Sequence, residues 1–570
     1  MTHREGRALR LIVLFTVLAG FVLPIVAGLW ETARAAFGIL PAIGAGEWSL
    51  APWRQLFGLP GFGTSVALTL WVGFGSTIIS LLLASGLCAL IHGRKWARAR
   101  AGRVLAPFLA APHAALAIGL AFLLSPSGWI ARLLSPWATG WNLPPDIATV
   151  NDPMGFSLII GLLIKEVPFL FLMMMTALTQ IPAENHLRAG RALGYARGLV
   201  WIKIILPQIY PLIRLPVFVV LSFALSVVDM AIILGPSNPP TLAVAMTRWF
   251  YSADIGLLLP ASAAALLQSV IVLLAIGVWL LAEGIATRIG RLWVRRGGRG
   301  MVSGPFLAVA GAVTGALMLA GALALASLLV WSFAWRWSFP GFLPESWSMQ
   351  AWLRPGAGWG AAFAESFGIG LCATLISILI AIAWLEGEDR AGMRRVGWAE
   401  GLIYLPLLVP QVAFLYGLSV AMLGVGLGNG RATVIWGHVL FVFPYVMVAL
   451  SDPWRALDRR MVGQAATLGA GPWRRLWAVK LPILLAPILV AAAIGFAVSV
   501  AQYLPTLFLG AGRIATLTTE AVTLSSGSDR RVVGVYAVLQ AALPFASYLA
   551  AWWVPRMIYR DRAGLNGGRG

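Results

Sequence analysis

Charge is scarce in this chain. Only 11% of its 570 residues are Asp, Glu, Lys or Arg, against about a quarter in an ordinary soluble domain. There are four lysines: Lys95, Lys165, Lys203 and Lys480. None stands in the Gly-Lys-Ser/Thr frame that cradles nucleotide phosphates, so the chain is not its own P-loop ATPase. Two cysteines, Cys88 and Cys372, sit in apolar runs. They exclude a disulfide framework and zinc-ligand spacing, and both read as buried thiols. The five histidines, His3, His92, His113, His186 and His438, form no HExxH pair, and no carboxylate cluster suggests a metal centre. An enzyme is not expected, nor a cofactor held by this chain.

What fills the space is apolar. Hydrophobic residues make up 59%, and the mean hydropathy is +0.85. A spanning helix needs about 20 mostly apolar residues. Twelve stretches qualify: 8–30, 64–92, 104–124, 154–180, 212–235, 256–284, 305–333, 363–385, 398–424, 433–451, 483–511 and 533–558. The first is longer than a signal-peptide core and reads as a retained helix. The net charge of +21 comes from basic residues spread among short loops rather than gathered on a soluble face. That spread argues against nucleic acid and for positive-inside topology with anionic lipid as a contact. With twelve spans, 31 of the 42 Lys and Arg fall on one side, which places both termini in the cytoplasm. The 26 tryptophans suit interfacial belts.

The basic stretch TRIGRLWVRRGGRG begins at Thr287 and divides the chain nearly in half. The expected organisation is a first six-helix unit over 1–286, a linker over 287–302 and a second unit over 303–570. An even number of spans returns the chain to the same side, so the two units have parallel topology. The fold class is all-α and polytopic.

A polar stretch occurs twice, each time between the fourth and fifth spans of a unit. GRALGYARGLVWIKIILP starts at Gly190 and AATLGAGPWRRLWAVKLP at Ala465. Leu193-Gly194 and Leu206-Pro207 in one match Leu468-Gly469 and Leu481-Pro482 in the other. Glycine turns a chain at positive φ after a helix. Proline is tolerated at a helix start. The spacing predicts a helix, a glycine turn, a short amphipathic helix and then a membrane helix begun by the proline. Trp201, Trp473 and Trp477 would serve as apolar anchors.

These loops, about 184–210 and 455–482, resemble the EAA-type coupling loops in the permease subunits of bacterial ABC importers. In that family Glu-Ala-Ala is followed after three residues by Gly and later by Leu-Pro. Here Arg188, Ala189 and Gly190 stand at the first triplet, and Gly463, Gln464 and Ala465, followed by Ala466, at the second. Both copies lack the glutamate and keep the glycine and Leu-Pro frame. The resemblance covers both units, and a fused pair of this size resembles the thiamine and ferric-iron importer permeases. It implies an inner-membrane permease with a cytoplasmic ABC ATPase dimer, which holds ATP and Mg, and an extracytoplasmic substrate-binding protein as partners. Each coupling loop would engage one ATPase subunit.

Polar residues inside spans are costly and mark candidate pathways. SFALSVVDMAIILG in the fifth span aligns with GFAVSVAQYLPTLFLG in the eleventh. This pairs Ser226 with Ser499 and Asp229 with Gln502. A three-residue step puts Ser226 and Asp229, and likewise Ser499 and Gln502, on one helix face. At 1.5 Å per residue Asp229 stands about 25 Å from the cytoplasmic end of its helix. Lys165 and Glu166 in the fourth span point about 100° apart and need not pair with each other; they read as interhelical anchors or as functional groups. An alternative stays open at this point: an ion-gradient-driven carrier with two six-helix halves, using Lys165, Glu166 or Asp229 as coupling groups.

Overall fold

A computed structural model describes residues 3–92, 95–298, 303–353, 358–392, 401–527 and 529–560. The linker positions 299–302 and the basic residues Arg94, Arg299, Arg354, Arg394, Arg395, Arg562 and Arg569 lie outside the described residues. The chain is an all-α polytopic membrane protein. Among the described residues ten helices are long and apolar enough to cross a bilayer, or up to twelve if each of two bent pairs counts as one span.

The first stretch of chain runs through α1 (Arg10–Ala36), α2 (Phe62–Ile91), α3 (Lys95–Ala110), α4 (His113–Leu124) and α5 (Phe156–Leu178). It continues through α6 (Ala183–Ala192), α7 (Arg197–Val200), α8 (Leu206–Ser226), α9 (Asp229–Leu234), α10 (Leu242–Phe250) and α11 (Leu258–Arg295). The rest comprises α12 (Gly304–Phe333), α13 (Trp359–Ala391), α14 (Gln411–Gly424), α15 (Arg431–Arg455), α16 (Arg459–Thr467) and α17 (Pro472–Arg475). It closes with α18 (Leu485–Val500), α19 (Leu504–Gly510), α20 (Leu517–Ser525) and α21 (Arg530–Ile558). Two short antiparallel hairpins, Ile39–Leu40 with Ala45–Gly46 and Ala334–Arg336 with Ser346–Trp347, follow α1 and α12.

Packing repeats with the sequence. α2 packs on α5 and α8 as α13 packs on α15 and α18. α2 and α13 each start after a left-handed glycine, Gly61 (φ +74) and Gly358 (φ +71). Eight residues on, Thr69 and Ser366 each accept the N–H of a later helix start, from Leu242 (2.9 Å) and Leu517 (2.8 Å). The first long helices are exchanged: α1 lies on α13 and α14, and α12 lies on α2 and α4. Both crossings use a glycine at a matched place. A Cβ on Gly417 would overlap the carbonyl oxygen of Gly28, and one on Gly119 that of Ala324. Small residues let backbones meet in lipid, where packing rather than water drives association.

Three expectations need correction. The third span is not one helix: α3 ends at Ala110 and α4 begins after Pro112. Proline displaces its preceding residue from the helical region. At the matched Pro410 the helices Gly401–Leu408 and Gln411–Gly424 meet at 102°. Second, α11 runs to Arg295, so the linker begins as helix. Third, Cys88 is buried but Cys372 is exposed on α13.

Candidate functional site

The two polar stretches fold into matched hairpins. α6 ends in a six-to-one turn: Tyr195 N–H donates to Gly190 O (3.0 Å) and Gly194 N–H to Arg191 O (3.0 Å). At the second hairpin Ala470 donates to Ala465 O (2.9 Å) and Gly469 to Ala466 O (3.0 Å). Gly194 and Gly469 both have φ +81°, which L side chains adopt only at a cost. Leu193 and Leu468, just before these glycines, are 60% and 87% exposed. Ala183, Leu187 and Gly190 form the buried stripe of α6. A Cβ on Gly190 would stand 2.5 Å from Val200 Cγ2, so glycine lets α6 fold onto α7. Ala189 is exposed beside Arg188, which reaches Glu184 at 3.7 Å. In the second hairpin Ala465 is half-buried and Ala466 exposed.

The order of elements differs from expectation. The amphipathic helix lies before the glycine, not after it. Beyond the glycine, α7 passes through a π turn, Trp201–Ile205, directly into α8. α17 passes likewise through Leu476–Lys480, but the segment Pro472–Ile483 then meets α18 at a bend of 75°. In the wide turn the N–H groups of Leu206 and Leu481 reach back five residues, to Trp201 and Leu476. Pro207 and Pro482 thus enter an existing helix instead of starting one. Trp201 is also buried, its Nε1 donating to Ser85 Oγ (2.8 Å), whereas Trp473 and Trp477 are exposed.

Deeper in the bundle two helices break at matched places. α8 stops at Ser226 and α9 begins at Asp229; α18 stops at Val500 and α19 begins at Leu504. Ser226 and Asp229 therefore do not share one helix face, and Gln502 lies beyond the end of the helix carrying Ser499. Each break frees a carbonyl. Gln268 Nε2 donates to Leu225 O (2.9 Å). Thr518 Oγ1 donates to Val500 O and itself accepts from Gln540 Nε2 (2.7 Å). Leu225 and Val500 lie equally far beyond Gly194 and Gly469. This register sets Val227 against Gln502 and Asp229 against Leu504, two residues away from the pairing expected on sequence. Gln268 and Gln540 were missed; an amide inside each half's last apolar span was the available signal.

The predicted pathway residues are dispersed along the breaks. Ser226 Oγ donates to Ser222 O (2.7 Å). Ser499 Oγ bonds His438 Nδ1 (2.7 Å), whose Nε2 meets Thr506 Oγ1 at 2.9 Å, so His438 spans the second break. Asp229 and Gln502 are both buried. Asp229 lies within electrostatic reach of Lys165 and of Tyr503, the neighbour of Gln502 in sequence. Lys165 and Glu166 do not pair. Lys165 Nζ donates to the carbonyls of Phe108 (2.8 Å), Leu109 (3.2 Å) and Ala111 (2.6 Å), where the α3 helix ends. Glu166 accepts from Ser80 (2.7 Å) and Ser76 (3.4 Å) on α2.

The fold is thus a membrane-spanning helical bundle with matched polar hairpins and matched helix breaks. Residues 390–555 match the family described as binding-protein-dependent transport system inner membrane component. The inner membrane ABC transporter permease protein YnjC of Escherichia coli (strain K12) is 32% identical over 525 residues, 91% of this chain and 93% of that one. The chain belongs to this family of ABC transporter permeases. A putative 2-aminoethylphosphonate transport system permease protein, PhnV of Salmonella typhimurium, is 27% identical over 173 residues, 30% of this chain and 65% of that one. The molybdenum transport system permease protein ModB of Haemophilus influenzae is 28% identical over 153 residues, 24% of this chain and 66% of that one.

Proposed function

We propose that this chain forms the entire translocation path of an ABC importer and receives its drive through the hairpins α6–α7 and α16–α17. The observation that carries this reading is the pair of identical glycine turns, each presenting an exposed leucine. In this reading the hairpin face is cytoplasmic, and each hairpin docks on one subunit of a separate ATPase dimer. ATP and Mg are bound there, not by this chain. An extracytoplasmic binding protein delivers the solute. The path runs between the two helix breaks, past Ser226, Asp229, Ser499 and Gln502. The expected thiamine or ferric-iron substrate finds no support, since PhnV and ModB carry other solutes in their names and YnjC carries none. No substrate is assigned.

Docking is tested by Leu193→Asp and Leu468→Asp. A charge in an apolar socket is expected to weaken ATPase association by about 30-fold or more, read as loss of co-purifying ATPase. Association equal to wild type in both variants would refute this use of the hairpins. The path is tested by Gln502→Cys in a Cys372→Ser background. Labelling by a membrane-impermeant thiol reagent should change by about 5-fold or more when ATP turns over. An unchanged rate, with hydrolysis running, counts against a path through this break.

A further inference from the structure

We infer that Lys480 is the joint through which the second hairpin moves the bundle, and that the two hairpins are unequal levers. The inference rests on the proposed coupling role of the hairpins. Lys480 ends the π turn between α17 and the membrane helix and is only 5% exposed. Its Nζ donates to Glu386 Oε2 (2.6 Å) and Asp389 Oδ2 (2.6 Å), both in the last turns of α13. The other Glu386 oxygen accepts from Arg390 Nε (2.7 Å), and the Arg390 guanidinium lies 4.5 Å over the Trp473 ring of α17. Glu388 accepts from Trp384 Nε1 (2.9 Å) and from Arg455 (3.0 Å) at the end of α15. Asp389 also takes Trp454 Nε1 (3.0 Å).

Three carboxylates and three cations thus tie the root of the second hairpin to α13 and α15 with no net charge. Charge-assisted bonds of this length resist bending and separation more than apolar contact does. A tilt of α17 therefore drags the end of α13. Because α13 packs against α1, the displacement reaches the first half as well.

The matched positions of the first hairpin carry different residues. Counting from Gly194 and Gly469, Ile205 stands where Lys480 does. Counting from Gly61 and Gly358, Ala89, Ile91 and His92 stand where Glu386, Glu388 and Asp389 do. Its cation lies elsewhere. Lys203 Nζ donates to Gly298 O (2.8 Å) and sits 4.5 Å over the Trp293 ring. Gly198 N–H donates to Ser303 Oγ (3.1 Å). The first hairpin meets α2 through the neutral Trp201–Ser85 bond and leans on the segment joining the halves, whereas the second is fastened to α13 by ion pairs.

The test uses the full complex with its native ATPase in lipid nanodiscs, reading both ATP hydrolysis and labelling of Gln502→Cys with the same thiol reagent. Lys480→Met is expected to keep hydrolysis within about twofold and to erase the ATP-driven change in labelling, a coupling of about 5-fold in the parent. Lys480→Arg should retain that change, and Ile205→Met should leave it intact. Asp389→Asn, which keeps the Lys480–Glu386 contact, is the variant to use if Lys480→Met fails to assemble; it should reduce the change partially. Loss of hydrolysis and labelling in parallel would mean a structural staple only and would overturn the inference. So would a full response in both Lys480→Met and Asp389→Asn. A parent complex without any ATP-driven change would instead sink the proposed function itself.

Discussion

Gly417→Leu is expected to destabilise the protein by about 3 kcal/mol or more, the upper range for overpacking. The reason is the kind of atom in the way. A Cβ at Gly417 meets the Gly28 carbonyl oxygen, the Thr32 nitrogen and the Thr32 hydroxyl. Two of these are backbone atoms of α1, and no rotamer change relieves the clash. The helices must separate, and α1 loses its seat on α14. Gly119→Leu should act in the same way at the other crossing, against Ala324. Gly284→Leu is the control, because nothing lies within 4 Å of its Cβ position. Thermal unfolding in detergent reads all three. Equal melting temperatures for Gly417→Leu and Gly284→Leu would show that the crossing has been described wrongly.

Lys165→Ala should be nearly as costly. Removing one partner from a buried charged contact typically costs about 3–5 kcal/mol. Lys165 is 6% exposed and is the ammonium that satisfies three carbonyls at the α3 break. Without it those carbonyls face an apolar interior, and Asp229 loses a nearby cation. Asp229→Asn in the same background should recover part of the loss, since the carboxylate then needs no counter-charge. A Lys165→Ala protein as stable as its parent would mean that water reaches the three carbonyls.

Legibility in the sequence followed chemistry that acts locally. The glycine turns were readable because positive φ after a helix leaves few options besides glycine, and the same Leu-Gly recurred in both halves. The helix ends at Pro112 and Pro410 were readable in principle from the residues before proline, yet apolar continuity outweighed them. The breaks at Val227–Val228 and at Gln502–Tyr503 carry no proline at the break itself. They are sustained by Gln268, Thr518 and Gln540 from distant helices, a tertiary cause that local pattern does not contain. The same holds for the exchange of α1 and α12. The two-residue error in pairing Asp229 with Gln502 came from matching small apolar residues, which are interchangeable in a bundle. Lys480 was passed over because its partners Glu386 and Asp389 lie 94 and 91 positions away in sequence.

The central claim is that two hairpins serve two ATPase subunits. The most direct measurement is gentle purification of the chain from its native membrane, followed by quantitative mass spectrometry of what accompanies it. The account predicts one ABC ATPase at two copies per chain, one for each of α6–α7 and α16–α17, lost on Leu193→Asp with Leu468→Asp. A chain that is reproducibly alone, yet moves solute down an ion gradient in vesicles, would contradict it.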